Sequence, residues 1–138
     1  MILSLSKKII TFLYINCQTI ERTFVDKLFA ICDYYLLSKT TRLSRHLYDL
    51  HKLFTHIDIE EVKRLFPEIQ QLRSKIILCP SAKPNIDIKN IISNIINSDY
   101  YAKDYKSVTS LLIYDDISYD NCIETLKNIS EMIVFPIL

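Results

Sequence analysis

The stretch LSRHLYDLHKLFTHI, residues 43–57, decides the fold class. Its apolar residues recur at steps of four, three, four and three, which places them on one stripe of an α-helix. They are Leu43, Leu47, Leu50, Phe54 and Ile57. The polar residues on the other side are Arg45, Asp49, Lys52 and His56. This segment is therefore predicted to be an amphipathic helix with one face against a core.

The rest of the chain predicts further helices of the same kind. Thr23 with Asp26 resembles a capping-box start for the first of them, and Asp58 with Glu61 marks another start. Ser118 is predicted to cap the last helix. Besides the helix at 43–57, the predicted helical segments are residues 23–38, 58–75, 86–96, 99–112 and 118–132.

One segment near the N-terminus predicts a strand. Residues 9–16, IITFLYIN, are apolar, β-branched and aromatic, which is typical of a strand that is buried on both faces. The chain offers no second convincing strand to pair with it. We therefore expect a mainly α protein, a bundle of about five to six helices with one unpartnered N-terminal strand.

Composition points to a globular protein and excludes several kinds of site. Hydrophobic residues make up 49% and charged residues 24%. Lys and Arg number 17 against 16 Asp and Glu, so net charge indicates neither a nucleic-acid nor a membrane partner. The four cysteines form no C-x-x-C pair, which favours free thiols in a reduced, cytoplasmic protein over a zinc or redox site.

Glycine is absent from the chain. Its absence excludes a P-loop, a G-x-G-x-x-G turn and a G-x-S-x-G elbow. A membrane anchor or signal peptide is not expected either. Lys7 and Lys8 interrupt the N-terminal apolar stretch, and the run after them is too short to span a bilayer.

The polar side of the central helix allows two interpretations. Arg45 and Asp49 lie four residues apart, so an intrahelical ion pair, worth about 0.3–0.5 kcal/mol, would account for both. Alternatively, the first two helices form an antiparallel hairpin. Lys27 then lies about thirteen residues before the turn and Asp49 about nine after it, a mismatch of roughly 6 Å along the axes. A lysine side chain covers much of that distance, so the two charges could meet at one edge.

Other clusters of polar or aromatic residues are weaker candidates for a functional site. His46, His51 and His56 are spaced five apart, which spreads them around a helix instead of on the i, i+4 face of a metal site. We predict no metal ligand in this chain. The tyrosines of DYYAKDY, residues 99–105, could stack on bases, but packing is the ordinary role of such residues.

Three segments together resemble a known family. They are ERTFVDKLFAICDYYL (21–36), RLSRHLYDLHKLF (42–54) and DYYAKDYKSVTSLLIYDDISYDNCIETLKNI (99–129). Their RTF-x-x-K and SRHxYD motifs, their order and their spacing resemble the C-terminal helical half of the AbiEii/AbiGii-type nucleotidyltransferase toxins. The resemblance covers residues from about 15 to 130.

The resemblance implies a two-part enzyme that transfers a nucleotide from a nucleoside triphosphate to an acceptor such as RNA. Its N-terminal half carries a Gly-Ser motif and an Asp-x-Asp pair that holds Mg²⁺. Its helical half supplies a lysine and an aspartate, which the motifs match to Lys27 and Asp49. Lys27 is expected to hold a triphosphate oxygen. Asp49 is expected to orient or deprotonate the acceptor hydroxyl, or to position Lys27. Arg45 supports the site as a substrate-binding residue.

This chain departs from the family pattern because it contains neither Gly-Ser nor Asp-x-Asp. We therefore expect a truncated product or half of a split enzyme that is inactive alone and binds neither Mg²⁺ nor the triphosphate by itself. The expected partners are the missing N-terminal half and a cognate antitoxin. The expected organisation is one domain over 1–138, with a leftover strand and linker at 1–20, a hairpin plus third helix at 22–76 and C-terminal helices at 85–132.

Two other hypotheses stay open. The chain could be a self-standing helical module for protein–protein interaction, antitoxin-like or regulatory. It could also be a nucleic-acid-binding domain, which the near-neutral charge disfavours because phosphate binding needs a basic face. The upstream gene sequence distinguishes the first of these from an enzyme fragment.

Overall fold

The computed structural model describes residues 19–133, which form six helices and no strand. In chain order the helices are α1 (Ile20–Leu36), α2 (Arg45–Phe54), α3 (Ile59–Ser74), α4 (Ile88–Ser98), α5 (102–112) and α6 (Tyr119–Met132). A short 3₁₀ turn, Pro80–Ala82, lies between α3 and α4. The prediction of a mainly helical protein is confirmed. The strand predicted at 9–16 lies outside the described residues.

The central helix α1 organises the core. It packs against α2, α3 and α4, while α6 covers α2 and α4. The buried apolar side chains of α1 are Phe24, Val25, Leu28, Phe29, Ile31 and Cys32. Burying each large side chain contributes about 1.5–3 kcal/mol, which makes α1 the main support of the fold.

The apolar stripe of α2 faces this core as predicted. Leu47 and Leu50 are buried, and Leu43, Phe54 and Ile57 are partly buried against the core. The polar side of the helix is thereby turned away from the core. The fold thus fixes the direction in which the candidate site residues point.

The helix starts show where local signals succeed. Asp58 is the N-cap of α3, and Ser118 caps α6 in a reciprocal capping box with Asn121, so both cap predictions are confirmed. The predicted start at Thr23 is wrong, because Thr19 is the N-cap of α1 and its side chain accepts a hydrogen bond from the Arg22 amide. The Thr23 amide donates to the Thr19 carbonyl and is already inside the helix.

Helix α5 is irregular. It opens with Ala102–Asp104, continues as a π-helix over Tyr105–Thr109 and closes with Ser110–Leu112. Of its tyrosines and those just before it, Tyr101 and Tyr105 are buried, and their hydroxyls donate to the carbonyls of Ile31 and Ile117. The packing interpretation of the DYYAKDY stretch is therefore confirmed for these two residues.

The turns between helices work without glycine. Four other residues take the left-handed conformation, namely Ser38, Arg42, Asn85 and Asp99. Asn and Asp tolerate this region, whereas an arginine rarely occupies it. None of the helices between residues 19 and 133 combines the length and the apolar character needed to cross a bilayer.

Candidate functional site

Lys27 and Asp49 meet at one edge of the α1–α2 hairpin. The Lys27 ammonium donates to Asp49 Oδ2 at 2.9 Å. Phe24 stacks on Phe54, and the Tyr34 ring packs against His46, so α2 runs antiparallel to α1. The convergence that hairpin geometry predicted is therefore observed, while the catalytic roles of the two residues stay a prediction.

The pair is accessible from solvent. The Lys27 and Asp49 side chains are 25% and 22% exposed. An ammonium has three N–H donors, and Asp49 engages one of them, so Lys27 can still donate to a phosphate oxygen. Asp49 Oδ1 accepts no hydrogen bond from any residue between 19 and 133. Each partner thus keeps hydrogen-bonding capacity for a ligand.

Arg45 does not pair with Asp49. The predicted intrahelical ion pair is wrong, because the Asp49 carboxylate binds Lys27 of the neighbouring helix. An acid that precedes its base by four residues pairs better than the reverse order found here, which weakens the intrahelical alternative. Arg45 is exposed and forms no ion pair within residues 19–133. Its predicted substrate-binding role remains a prediction.

His46 lies beside the pair. Burial lowers the pKa of its imidazole below the ordinary value of 6.5, and the Lys27 ammonium lowers that pKa further. Its Nδ1 atom is buried and has no hydrogen-bond partner in the described chain. His46 is therefore neutral at pH 7 and adds no positive charge to the edge of the hairpin where Lys27 and Asp49 meet, which we call the rim.

A second polar cluster on α2 was not predicted. The Asp115 carboxylate accepts hydrogen bonds from the Tyr48 hydroxyl at 2.5 Å and from the Lys52 ammonium at 2.6 Å. The Lys52 and Tyr48 hydrogen bonds lower the pKa of Asp115 to about 2. Asp115 lies between the predicted helices at 99–112 and 118–132, and sequence analysis assigned it no role. Its contacts span more than 60 residues, so no local pattern could have revealed them.

These residues do not fit a magnesium site. All 16 acidic residues of the chain lie between positions 21 and 131. Throughout the described part of the chain, no three His, Cys, Asp or Glu side chains are grouped so that they could hold a metal ion. At the rim itself, the Lys27 ammonium occupies the space beside the Asp49 carboxylate where a cation would bind. Mg²⁺ prefers several oxygen ligands in near-octahedral geometry, which this rim does not offer.

A groove of about 670 Å³ lies between α2 and α5. Arg42, Arg45 and Tyr48 line one side of it. The other side consists of residues of α5 and the turn after it: Ser107, Val108, Thr109, Leu111, Leu112, Ile113 and Tyr114. Sequence analysis did not predict this groove, because two segments about 60 residues apart form it.

An ammonium and a carboxylate at one accessible rim, on a helical body, suit a protein that binds phosphate groups and positions a hydroxyl beside them. A comparison with protein families agrees with this class. Residues 5–125 match the family model described as nucleotidyl transferase AbiEii toxin, type IV toxin–antitoxin system.

The match spans most of the chain, and the chain belongs to the AbiEii nucleotidyltransferase toxin family. Membership indicates a toxin of a toxin–antitoxin system, with an antitoxin as a partner. Enzymes of this class typically use a nucleoside triphosphate and Mg²⁺. No curated protein and no solved structure matches the chain.

Proposed function

We propose that this chain contributes the helical wall of a nucleotidyltransferase active site, which transfers a nucleotide from a nucleoside triphosphate to a hydroxyl of RNA. The observation that carries the proposal is the Lys27–Asp49 pair, held between two helices at 2.9 Å and open to solvent. We place the reaction in the cytoplasm, where triphosphates and RNA occur.

Each residue has a distinct task in this proposal. Lys27 donates its remaining N–H groups to a triphosphate oxygen and offsets charge there. Asp49 holds Lys27 in place through Oδ2 and accepts the proton of the acceptor hydroxyl at Oδ1. The hydroxyl oxygen forms a bond to the α-phosphorus, and the bond from that phosphorus to the bridging oxygen breaks. Pyrophosphate leaves with the electron pair.

The chain needs residues from elsewhere to act. Its sequence contains no Asp-x-Asp pair, and the residues at the rim do not fit Mg²⁺. We propose that a polypeptide or segment with the Gly-Ser and Asp-x-Asp motifs of the family completes the site. The 138-residue chain alone is therefore expected to be inactive.

Reconstitution tests this proposal. The purified chain is incubated with Mg²⁺, labelled nucleoside triphosphates and RNA, with and without an AbiEii-family half that carries the two motifs. Label should enter RNA only when both polypeptides are present. Replacing Lys27→Met should abolish that signal, because methionine keeps the length of the side chain without its charge. The Lys89→Ala variant removes an exposed lysine on α4 and is the matched control.

Three outcomes would contradict parts of the proposal. Transfer by the chain alone would show that it needs no second set of metal ligands. Reconstituted transfer that survives Lys27→Met would remove the pair from the active site. A folded chain that never complements the other half would instead favour the interaction-module hypothesis.

A further inference from the structure

The groove between α2 and α5 carries an inference of its own. We infer that it holds the unpaired end of a nucleic-acid acceptor strand, with Arg42 and Arg45 on phosphates and Tyr114 stacked on a base. The inference rests on the proposed function and adds the place where the acceptor binds. It also names residues that select a single strand over a duplex.

Hydrogen bonds to α5 fix the turn that precedes α2. The Asp104 carboxylate accepts from the amide of Arg42 at 2.8 Å and from the amide of Ser44 at 3.0 Å. The Ser44 hydroxyl lies 2.7 Å from the Thr109 hydroxyl, and this contact is buried. These contacts join the turn before α2 to α5, the two segments that form the groove, so its width is set by the fold.

The conformation of Arg42 supports a built site. Its φ of 62° lies in the left-handed region, which is unfavourable for a residue with a long side chain. The bond to Asp104 helps to hold this conformation, and the Arg42 side chain lines the groove. Such residues persist where surrounding contacts enforce them, and they cluster at ligand sites.

The charge of the groove favours an anion. Its lining includes two arginines and no acidic residue. Neither Arg42 nor Arg45 forms an ion pair with another residue of the described range. Planar guanidinium groups match phosphate oxygens in pairs. The near-neutral charge of the whole chain does not conflict with this, since only the few phosphates in the groove need partners.

The opposite wall favours an unstacked base. Tyr114 is fully exposed, and Leu111 and Leu112 are 77% and 69% exposed. All three line the groove, and exposed apolar side chains grouped in a groove are a feature of binding sites. Across the groove, Tyr48 is held by its bond to Asp115. Bases stack on exposed tyrosines with little sequence preference, and bases inside a duplex are not available to do so.

One residue that lines the groove, Arg45, lies close in the helix to the proposed reaction site. Arg45 and Asp49 lie one helical turn apart on α2, a separation of about 5–6 Å between their Cβ atoms. A strand bound to Arg45 therefore has its terminal hydroxyl within reach of the Lys27–Asp49 pair. A protein segment could also cover the exposed leucines, but two arginines that form no ion pair with any residue between 19 and 133 favour the nucleic acid.

Fluorescence anisotropy of the full chain with a labelled single-stranded RNA of about 10 nucleotides tests the inference. The Arg42→Ala/Arg45→Ala double variant should raise Kd about tenfold or more. It should also reduce the slope of log K against log salt by about 1.4, since each phosphate contact to a single strand contributes about 0.7. The Lys89→Ala variant should leave both quantities unchanged.

The aromatic contact has its own matched variants. Replacing Tyr114→Ala should raise Kd about 5- to 150-fold, as expected for one lost base stack. Tyr114→Phe should bind within about twofold of the unchanged chain, because a phenyl ring also stacks. Tyr114→Leu keeps apolar area without the aromatic face and should behave like the alanine variant. Circular dichroism of each variant confirms that it is folded.

Several results would overturn the inference. The first is that the single strand does not bind at micromolar concentration. The second is that a duplex of the same sequence binds equally well. The third is that none of the groove variants changes the Kd. If Tyr114→Ala and Tyr114→Leu leave RNA binding unchanged but abolish self-association of the unchanged chain in sedimentation, the groove binds a second copy of the protein instead. If every groove variant still supports RNA transfer in the reconstituted system, the inference about the groove is refuted and the proposed function is not. Groove-dependent RNA binding without any reconstituted transfer would refute the proposed function and leave the groove standing.

Discussion

Replacing Lys27→Met is expected to remove nucleotide transfer while costing the fold little. If the pair serves the reaction, its loss should appear mainly as lower nucleotide transfer, because both oxygens of Asp49 and the charge of Lys27 act on the bound substrate. If the pair serves the structure, its loss should appear mainly as lower stability. The two roles therefore differ in where the free energy is lost.

The structure sets the size of the stability effect. The ammonium nitrogen and the carboxylate oxygen lie 2.9 Å apart, with both side chains about one-quarter exposed. Coulomb attraction at this distance is about 1.4–6 kcal/mol for an effective dielectric constant between 80 and 20. Dehydration and side-chain ordering offset most of it, so a net coupling of about 0.5–1 kcal/mol is expected. For a domain of this size that corresponds to a fall in Tm of about 2–5 °C.

A double-mutant cycle measures this coupling. Urea unfolding of the unchanged chain, of Lys27→Met, of Asp49→Asn and of the double variant gives the interaction free energy directly. The same four proteins are assayed for transfer in the reconstituted system, where each single variant should lose at least about 100-fold. A coupling above about 3 kcal/mol with proportionate loss of activity would refute the reasoning, since it would make the pair a structural ion pair.

Three further outcomes are expected. Replacing Asp33→Ala should destabilise the chain by about 3–5 kcal/mol in urea unfolding, because this carboxylate is buried and accepts from Arg73 at 2.9 Å and from the Ser81 amide at 2.9 Å. An exposed Asp120→Ala variant, with a loss below about 0.5 kcal/mol, is its control. The folded-state pKa of His46 is below 6.5, so its contribution to stability is present above pH 6.5 and is lost as the pH falls through the folded pKa. The urea midpoint of His46→Gln should therefore change less between pH 7.5 and pH 5 than that of the unchanged chain. The same pH dependence in both proteins would contradict this. The pKa of Asp115 is about 2, so its contribution to the free energy of unfolding is present above pH 4 and is lost toward pH 2. The stability of Asp115→Asn, followed by acid titration, should lack this loss between pH 4 and pH 2. A loss that persists in the variant would belong to another carboxyl group.

The helical part of the fold could be predicted where its signals are local. The α2 stripe follows from the spacing of five apolar residues, and Ser118 and Asp58 cap helices through neighbours two or three positions away. The start of α1 is predicted at the wrong threonine. Thr19 and Thr23 lie four residues apart and both suit an N-cap, but the Thr23 amide already donates to the Thr19 carbonyl within the helix. Local chemistry alone does not choose between them.

The site could be predicted only in part, for a related reason. Hairpin geometry brings Lys27 and Asp49 together because one short turn joins their helices. The contacts of Asp115 with α2, and of Asp104 with the turn before α2, cross more than 60 residues. The π-helix in α5 is also marked by no residue pattern. Helix packing, which sequence spacing does not specify, determines these contacts.

Arg45 shows why the polar side of α2 is more than a solvated surface. It is the first residue of the helix, where the positive end of the helix dipole makes a cation unfavourable by a few tenths of a kcal/mol or more. It could not gain much from Asp49, which follows it in the weaker orientation and binds Lys27 instead. Arg42, three residues earlier, adds a second cation in a strained backbone conformation. The Asp104 carboxylate holds the Arg42 backbone, but neither guanidinium has an ion-pair partner among residues 19–133. An external anion in the groove would compensate both positive charges.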